Sequence, residues 1–249
     1  MTADDLYRSV MMTDPPEAET PFDVSARDYL FGTVWNRPGL SVRDRRIVSI
    51  VCVSAAVDGA AMDAHVYAAL ASGDLTVEQM KEFVLHFAVY CGWPRASQLE
   101  MTVRTQWQRI HDERGEPTPV FPELGVEDLG TADPAQRIAE GMKSFEDINL
   151  IGPPSQDSPY FYAGILNYVF GHLWLRPGLS RRDRRMITIP CVGVSDAIGP
   201  IWSHVTSAMG SGDVSYDEMH ELILHFSAYA GTTRAEVLLG VAAQWQAQQ

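Results

Sequence analysis

The sequence predicts an all-α protein built from two tandem copies of one helical domain. Three observations carry that expectation. Phe31–Ala96 recurs as Phe170–Ala235 without a gap, at the uniform offset that separates His65 from His204. Apolar residues return at helical spacing behind Ser, Thr and Asp caps. No run alternates apolar and polar residues, and no β-hairpin appears. A period this long marks duplication of a domain, not a solenoid of short repeats.

The elements follow in order. Pro38-Gly39 sets a turn, and Ser41 with Asp44 opens a helix through Ile47, Ile50, Val51 and Ser54. Ser180 and Asp183 open its second copy, in which Pro190 is expected to kink or break the helix. Met62, His65, Val66, Ala69 and Leu70 share one helical stripe that stops at Gly73, a left-handed cap. Thr76 with Gln79, and Ser215 with Glu218, form capping boxes. The helix after Thr76 aligns Met80, Phe83, Val84, Phe87 and Cys91 and ends at Gly92, matched by Gly231. A last helix runs from Pro94 through Leu99, Val103 and Trp107, and Asp133 caps a further helix to Ile148 with Pro134 at its first position. The Pro-, Glu- and Gly-rich stretch from Asp112 reads as a linker, giving one domain at 1–111, a linker at 112–131 and a second domain at 132–249. Pro15-Pro16 and Pro21-Phe22 are echoed by Pro153-Pro154 and Pro159-Tyr160 at an offset one residue shorter, so each copy begins before its strongest match.

A chain of 249 residues accommodates two such domains with real cores. Its net charge of −13 argues against nucleic acid and anionic membrane as partners, because phosphate neutralisation needs clustered Lys and Arg. No run approaches the roughly 20 apolar residues of a membrane helix. The start carries Asp4 and Asp5, without the basic patch and apolar stretch of a signal peptide. With three cysteines a disulfide framework is not expected, and the expected location is cytoplasmic.

Three blocks carry a family resemblance. They are Trp35-x-Arg37-Pro38-Gly39-Leu40 with Arg43-Asp44-Arg45-Arg46, then His65-Val66-Tyr67-Ala68-Ala69-Leu70 with Ser72-Gly73, and then Leu85-His86-Phe87 with Tyr90-Cys91-Gly92. Each recurs in the second half, and together they resemble the carboxymuconolactone decarboxylase family, within the alkylhydroperoxidase D-like superfamily. The resemblance implies helical domains that oligomerise, here three two-domain chains in a homotrimer, with apolar faces such as Phe83–Phe87 and Phe226 at the contacts. It also implies a cofactor-independent lyase, or a related isomerase or cyclase, on a small anionic or lactone substrate of aromatic catabolism or secondary metabolism. Thiol-bearing relatives carry Cys-x-x-Cys ahead of the histidine. Here those positions are Asp58 and Ala61, and Ala197 and Pro200, so no thiolate is available and a peroxidase is excluded.

Within this frame His65 and His204 are the candidate catalytic groups, since imidazole exchanges protons near neutrality without a cofactor. No metal-ligand spacing occurs. The substrate-binding candidates are Arg45, Arg46, Arg184, Arg185, His86, His225, Tyr90, Tyr229, Trp35 and Trp174. The arginines lie in the first turn of a helix, where the macrodipole disfavours cations, so each calls for a carboxylate from the protein or from a substrate. The bland alternatives stay open: core histidines, structural salt bridges, and a non-catalytic scaffold or ligand-binding protein on the same fold. Asp63 stands two residues before His65 where Trp202 precedes His204, so the two pockets are expected to differ.

Overall fold

The structure is a computed structural model that describes residues 2–120 and 133–249. It is helical, with no strand among the described residues. Each half opens with a leading helix: α1 (Ala3–Met11) in the first, α7 (Pro134–Asn149) in the second. Thr2 and Asp5 close a capping box on α1, and the Asp133 side chain accepts from the backbone N–H of Ala135 on α7. The short α2 (Pro21–Ser25) feeds a π-helix, Ala26–Trp35, and the second half has its counterpart at Tyr160–Phe170. The first π-helix ends on Trp35. A 3₁₀ turn, Leu173–Leu175, carries Trp174.

Then follow α3 (Val42–Ala56), α4 (Gly59–Ser72), α5 (Val77–Cys91) and α6 (Trp93–Arg114). The second copies are α8 (Arg181–Val194), α9 (Ile198–Gly210), α10 (Tyr216–Ala230) and α11 (Thr232–Gln246). The caps fall where the sequence places them: Ser41, Thr76, Ser180 and Ser215 each accept from the backbone three residues on. Gly73, Gly92 and Gly231 take φ of 76°, 93° and 96°, which an L side chain adopts only under strain. Helix α6 runs to Arg114 and stops at Gly115, also left-handed, while positions 121–131 of the proposed linker lie outside the described residues.

Of the kink or break expected at Pro190, the break does not occur: α8 runs continuously through it. The helix is buried from Asp183 to Gly193 and packs on α3, α5, α9 and α11. Burial on every side offsets the roughly 3 kcal/mol that an interior proline costs.

The two halves share one hydrophobic core. Helix α3 packs against α8 and α10, and α5 against α8, so Ile47, Ile50, Phe83 and Phe87 join Met186, Ile187, Leu222 and Phe226 in a single cluster. Phe83, Phe87 and Phe226 are wholly buried within the chain, which corrects their assignment to contacts between chains. A close backbone approach locks α7 onto the second π-helix. A Cβ at Gly141 would stand 1.8 Å from the carbonyl oxygen of Leu166, and one at Gly171 would stand 2.3 Å from that of Arg137. Gly141→Ala is therefore expected to lower stability by about 1–3 kcal/mol, read as a lower urea midpoint. An unchanged midpoint would show that this approach is not tight.

Candidate functional site

Both candidate sites are assembled across the repeat boundary. In the first, Trp35 and His65 from one half meet His225 and Tyr229 from the other. The Trp35 indole N–H donates to the Tyr229 hydroxyl at 3.0 Å. The rings of His65 and Trp35 lie nearly parallel with centroids 6.3 Å apart, and His225 meets the Trp35 ring edge-on at 4.7 Å. His225 Nε2 shares a 2.8 Å hydrogen bond with the Ser49 hydroxyl of α3. The apolar face of α1, with Leu6, Val10 and Met11, packs over Phe31 and Trp35.

The second site is the same constellation with the halves exchanged. Trp174 donates to Tyr90 at 3.0 Å, His204 lies parallel to Trp174 at 6.2 Å, and His86 Nε2 pairs with Thr188 at 2.8 Å. The i, i+4 pairs His86–Tyr90 and His225–Tyr229 do share a helix face, as their spacing requires, but each faces the indole and imidazole of the opposite half.

The arginines answer the charge question raised by the sequence. Arg45 reaches Glu221 at 3.1 Å and Arg46 reaches Asp74 at 2.6 Å; Arg185 reaches Asp213 at 3.2 Å and Arg184 lies 3.8 Å from Glu82. All four are buried. Arg46 also donates to the backbone carbonyl of Val10, and Arg185 to that of Ile148, so the ends of α1 and α7 are tied down in the same way. Arg37 and Arg176 reach across to Glu221 and Glu82 in turn. In each site the two helix-start guanidinium groups (Arg45 and Arg46, or Arg184 and Arg185) thus face two carboxylates (Glu221 and Asp74, or Glu82 and Asp213), with a third guanidinium that is buried in the second site (Arg176) and exposed in the first (Arg37).

Glu82, Glu221, Ser49 and Thr188 were not among the sequence candidates. Glu82 and Glu221 stand at the repeat offset from one another, as Ser49 and Thr188 do, and that shared register was the signal available to find them.

His65 and His204 each keep 5% of their exposure, and no hydrogen bond reaches either ring among the described residues. Burial, with Arg46 nearby, pulls His65 down to about 4. Burial and Arg185 take His204 to about 3. His86 and His225 fall well below the usual range for the same first reason, with Arg184 and Arg45 adding to it. All four imidazoles are therefore neutral at neutral pH. Burial also lifts Tyr90 to about 12 and pushes Tyr229 up, so both phenols stay protonated.

Such a site offers an anion guanidinium donors and offers a reacting carbon neutral imidazole and phenol groups. Cys52, Cys91 and Cys191 are free and buried, and burial pushes the Cys52 and Cys191 thiols up. No described helix is long and apolar enough to cross a membrane.

The sequence model of the Carboxymuconolactone decarboxylase family matches residues 25–100 and 159–244. Among named proteins, the chain is 32% identical over 100 residues to a 4-carboxymuconolactone decarboxylase of Acinetobacter baylyi, covering 40% of this chain and 69% of that protein. It is 34% identical over 79 residues to the nitrosuccinic acid decarboxylase npaB of Metarhizium robertsii, covering 32% of this chain and 53% of that protein.

Proposed function

The chain belongs to the carboxymuconolactone decarboxylase family, and from that premise we propose that it removes CO₂ from a small organic acid at sites built around His65 and His204. The observation that carries this reading is the pair of buried guanidinium groups set near a neutral imidazole in each site, in a chain of net charge −13. A small carboxylate is the class of ligand that guanidinium donors favour. Low dielectric strengthens the attraction, and the arginines are already held in place by protein carboxylates.

In the proposed reaction the bond between the carboxylate and its carbon breaks and CO₂ departs. The electron pair stays on that carbon, spread onto a neighbouring electron-withdrawing group such as a lactone carbonyl or a nitro group. A proton is then delivered to the carbon. His65 at about 4 and His204 at about 3 carry no spare proton at neutral pH. An anionic substrate supplies the missing counter-charge, favours imidazolium, and so recruits a proton from solvent only when the site is loaded. Tyr229 and Tyr90, protonated and directed by the tryptophan indoles, would hold the substrate group that gains charge. Assembly into homotrimers belongs to the same reading, with the exposed Phe22 and Tyr160 at equivalent places in the two halves available for contacts.

A second reading is favoured by the 5% exposure of both rings, namely that the histidines are core residues of a ligand-binding or scaffold protein. One experiment separates the two. CO₂ release is measured from 4-carboxymuconolactone and from nitrosuccinate with the intact chain and with the His65→Gln, His204→Gln double variant. The decarboxylase reading expects turnover that falls about 10²–10⁴-fold in the variant, the usual contribution of a proton-transferring side chain. No CO₂ from either acid, or a variant as fast as the parent, supports the scaffold reading.

A further inference from the structure

The two sites match in outline but differ in how their buried donors are satisfied. In the second site Arg184 Nη1 lies 3.2 Å from His86 Nδ1, and its Nη2 donates to the Arg176 carbonyl at 2.8 Å. Because the guanidinium only donates, His86 must accept on Nδ1 and carry its proton on Nε2, which then donates to Thr188. That ring has one tautomer and no free acceptor, and the inward-facing nitrogen of Arg184 is spent on it.

The first site has no such closure. Arg45 is wholly buried; its Nη2 donates to the Arg37 carbonyl at 2.9 Å and to Glu221, but its Nε and Nη1 have no partner among the described residues. His225 is held by Ser49 and by the Arg45 backbone, but its Nδ1, the counterpart of the nitrogen that closes the second site, is buried without a partner among the described residues, and so is Nδ1 of His65. In the second site only His204 Nδ1 is left in that condition among the equivalent atoms. Buried guanidinium donors without an acceptor are rare in folded proteins because their desolvation is uncompensated. A charged acceptor relieves them best.

We infer that the first site alone is the anion-binding site of this chain, with Arg45 as the ligand-contacting guanidinium, and that the second is an internally satisfied copy. The inference rests on the reading of these sites as small-acid sites and says which of the two takes the acid. A carboxylate oxygen is the acceptor that these donors lack. It would accept from Arg45 and, once His225 or His65 places a proton on Nδ1, from an imidazole as well. The second site would have to break the Arg184–His86 contact before offering the same donors.

The test uses the intact chain and succinate as a simple carboxylate probe, so that binding is read apart from CO₂ release. Calorimetry counts the succinate bound per chain. Nitrogen-detected NMR follows the arginine Nε–H and imidazole signals, with the Arg45 signal assigned by its disappearance in Arg45→Gln. The expected result is one succinate per chain, with the signals of Arg45, His225 and His65 moving together while that of Arg184 stays in place. Two equivalents per chain, movement of Arg184 alongside Arg45, or no movement of Arg45 overturns the inference. Where Arg45→Gln folds poorly, the conservative Arg45→Lys assigns the same Nε–H signal, and Arg184→Lys assigns that of Arg184. One-site succinate binding without CO₂ release from any acid would sink the decarboxylase reading and leave this assignment intact. CO₂ release with two-site binding would do the reverse.

Discussion

Glu82→Ala is expected to destabilise the chain by about 3–5 kcal/mol, because it takes the carboxylate from two buried guanidinium groups at once. Glu82 Oε1 accepts from Arg176 at 2.6 Å, and its other oxygen lies 3.8 Å from Arg184. The side chains of these arginines are 2% and 1% exposed, so neither can turn to water when the carboxylate is gone. The methylene of Glu82 also lies against Gly178, which has no side chain to fill the space left behind. The fit control is Glu100→Ala, which removes a partner from an exposed pair with Arg104 on one face of α6 and should cost less than about 1 kcal/mol. Urea midpoints of the two variants decide the matter. Equal losses would mean that the Glu82 pairing does not hold the halves together.

Acid is expected to unfold the chain well before its carboxylates are fully protonated. His65 and His204 titrate in the folded state at about 4 and about 3, and near 6.5 when unfolded. Below pH 6.5 the unfolded chain takes up protons that the folded chain refuses. Their stabilisation is thus complete above pH 6.5 and drains away as the pH falls toward 4 and then 3. At about 1.4 kcal/mol per pH unit, the two rings together account for on the order of 8 kcal/mol, comparable to the whole stability of an ordinary domain. Carboxylates such as Glu221 and Asp213, whose values are lowered, add their own loss at more acid pH. A urea midpoint that drops steeply between pH 6.5 and 4.5, and drops less in the His65→Gln, His204→Gln variant, is the expected pattern. Identical slopes in the two proteins would mean that the rings protonate freely in the folded state.

Local chemistry was legible in the sequence and long-range pairing was not. A Thr76–Gln79 box or a Gly73 cap is specified by residues within one turn, so the helix starts and stops could be placed without knowing what packs on them. Arg45 and Arg46 announced a need for counter-charge at a helix start, yet nothing near them said that Glu221 would answer for one and Asp74 for the other. The i, i+4 spacing of His86 and Tyr90 revealed a shared face but not that the face belongs to the opposite half. Pro190 misled because proline's cost is a local quantity, whereas the burial that overrides it comes from four other helices.

The crossing of partners between halves has a genetic corollary. Duplication ordinarily releases one copy to drift while its twin preserves the ancestral role. Here each copy furnishes part of both sites, so a substitution on α10 is felt where α4 supplies the imidazole, and neither half could be inherited, lost or specialised alone.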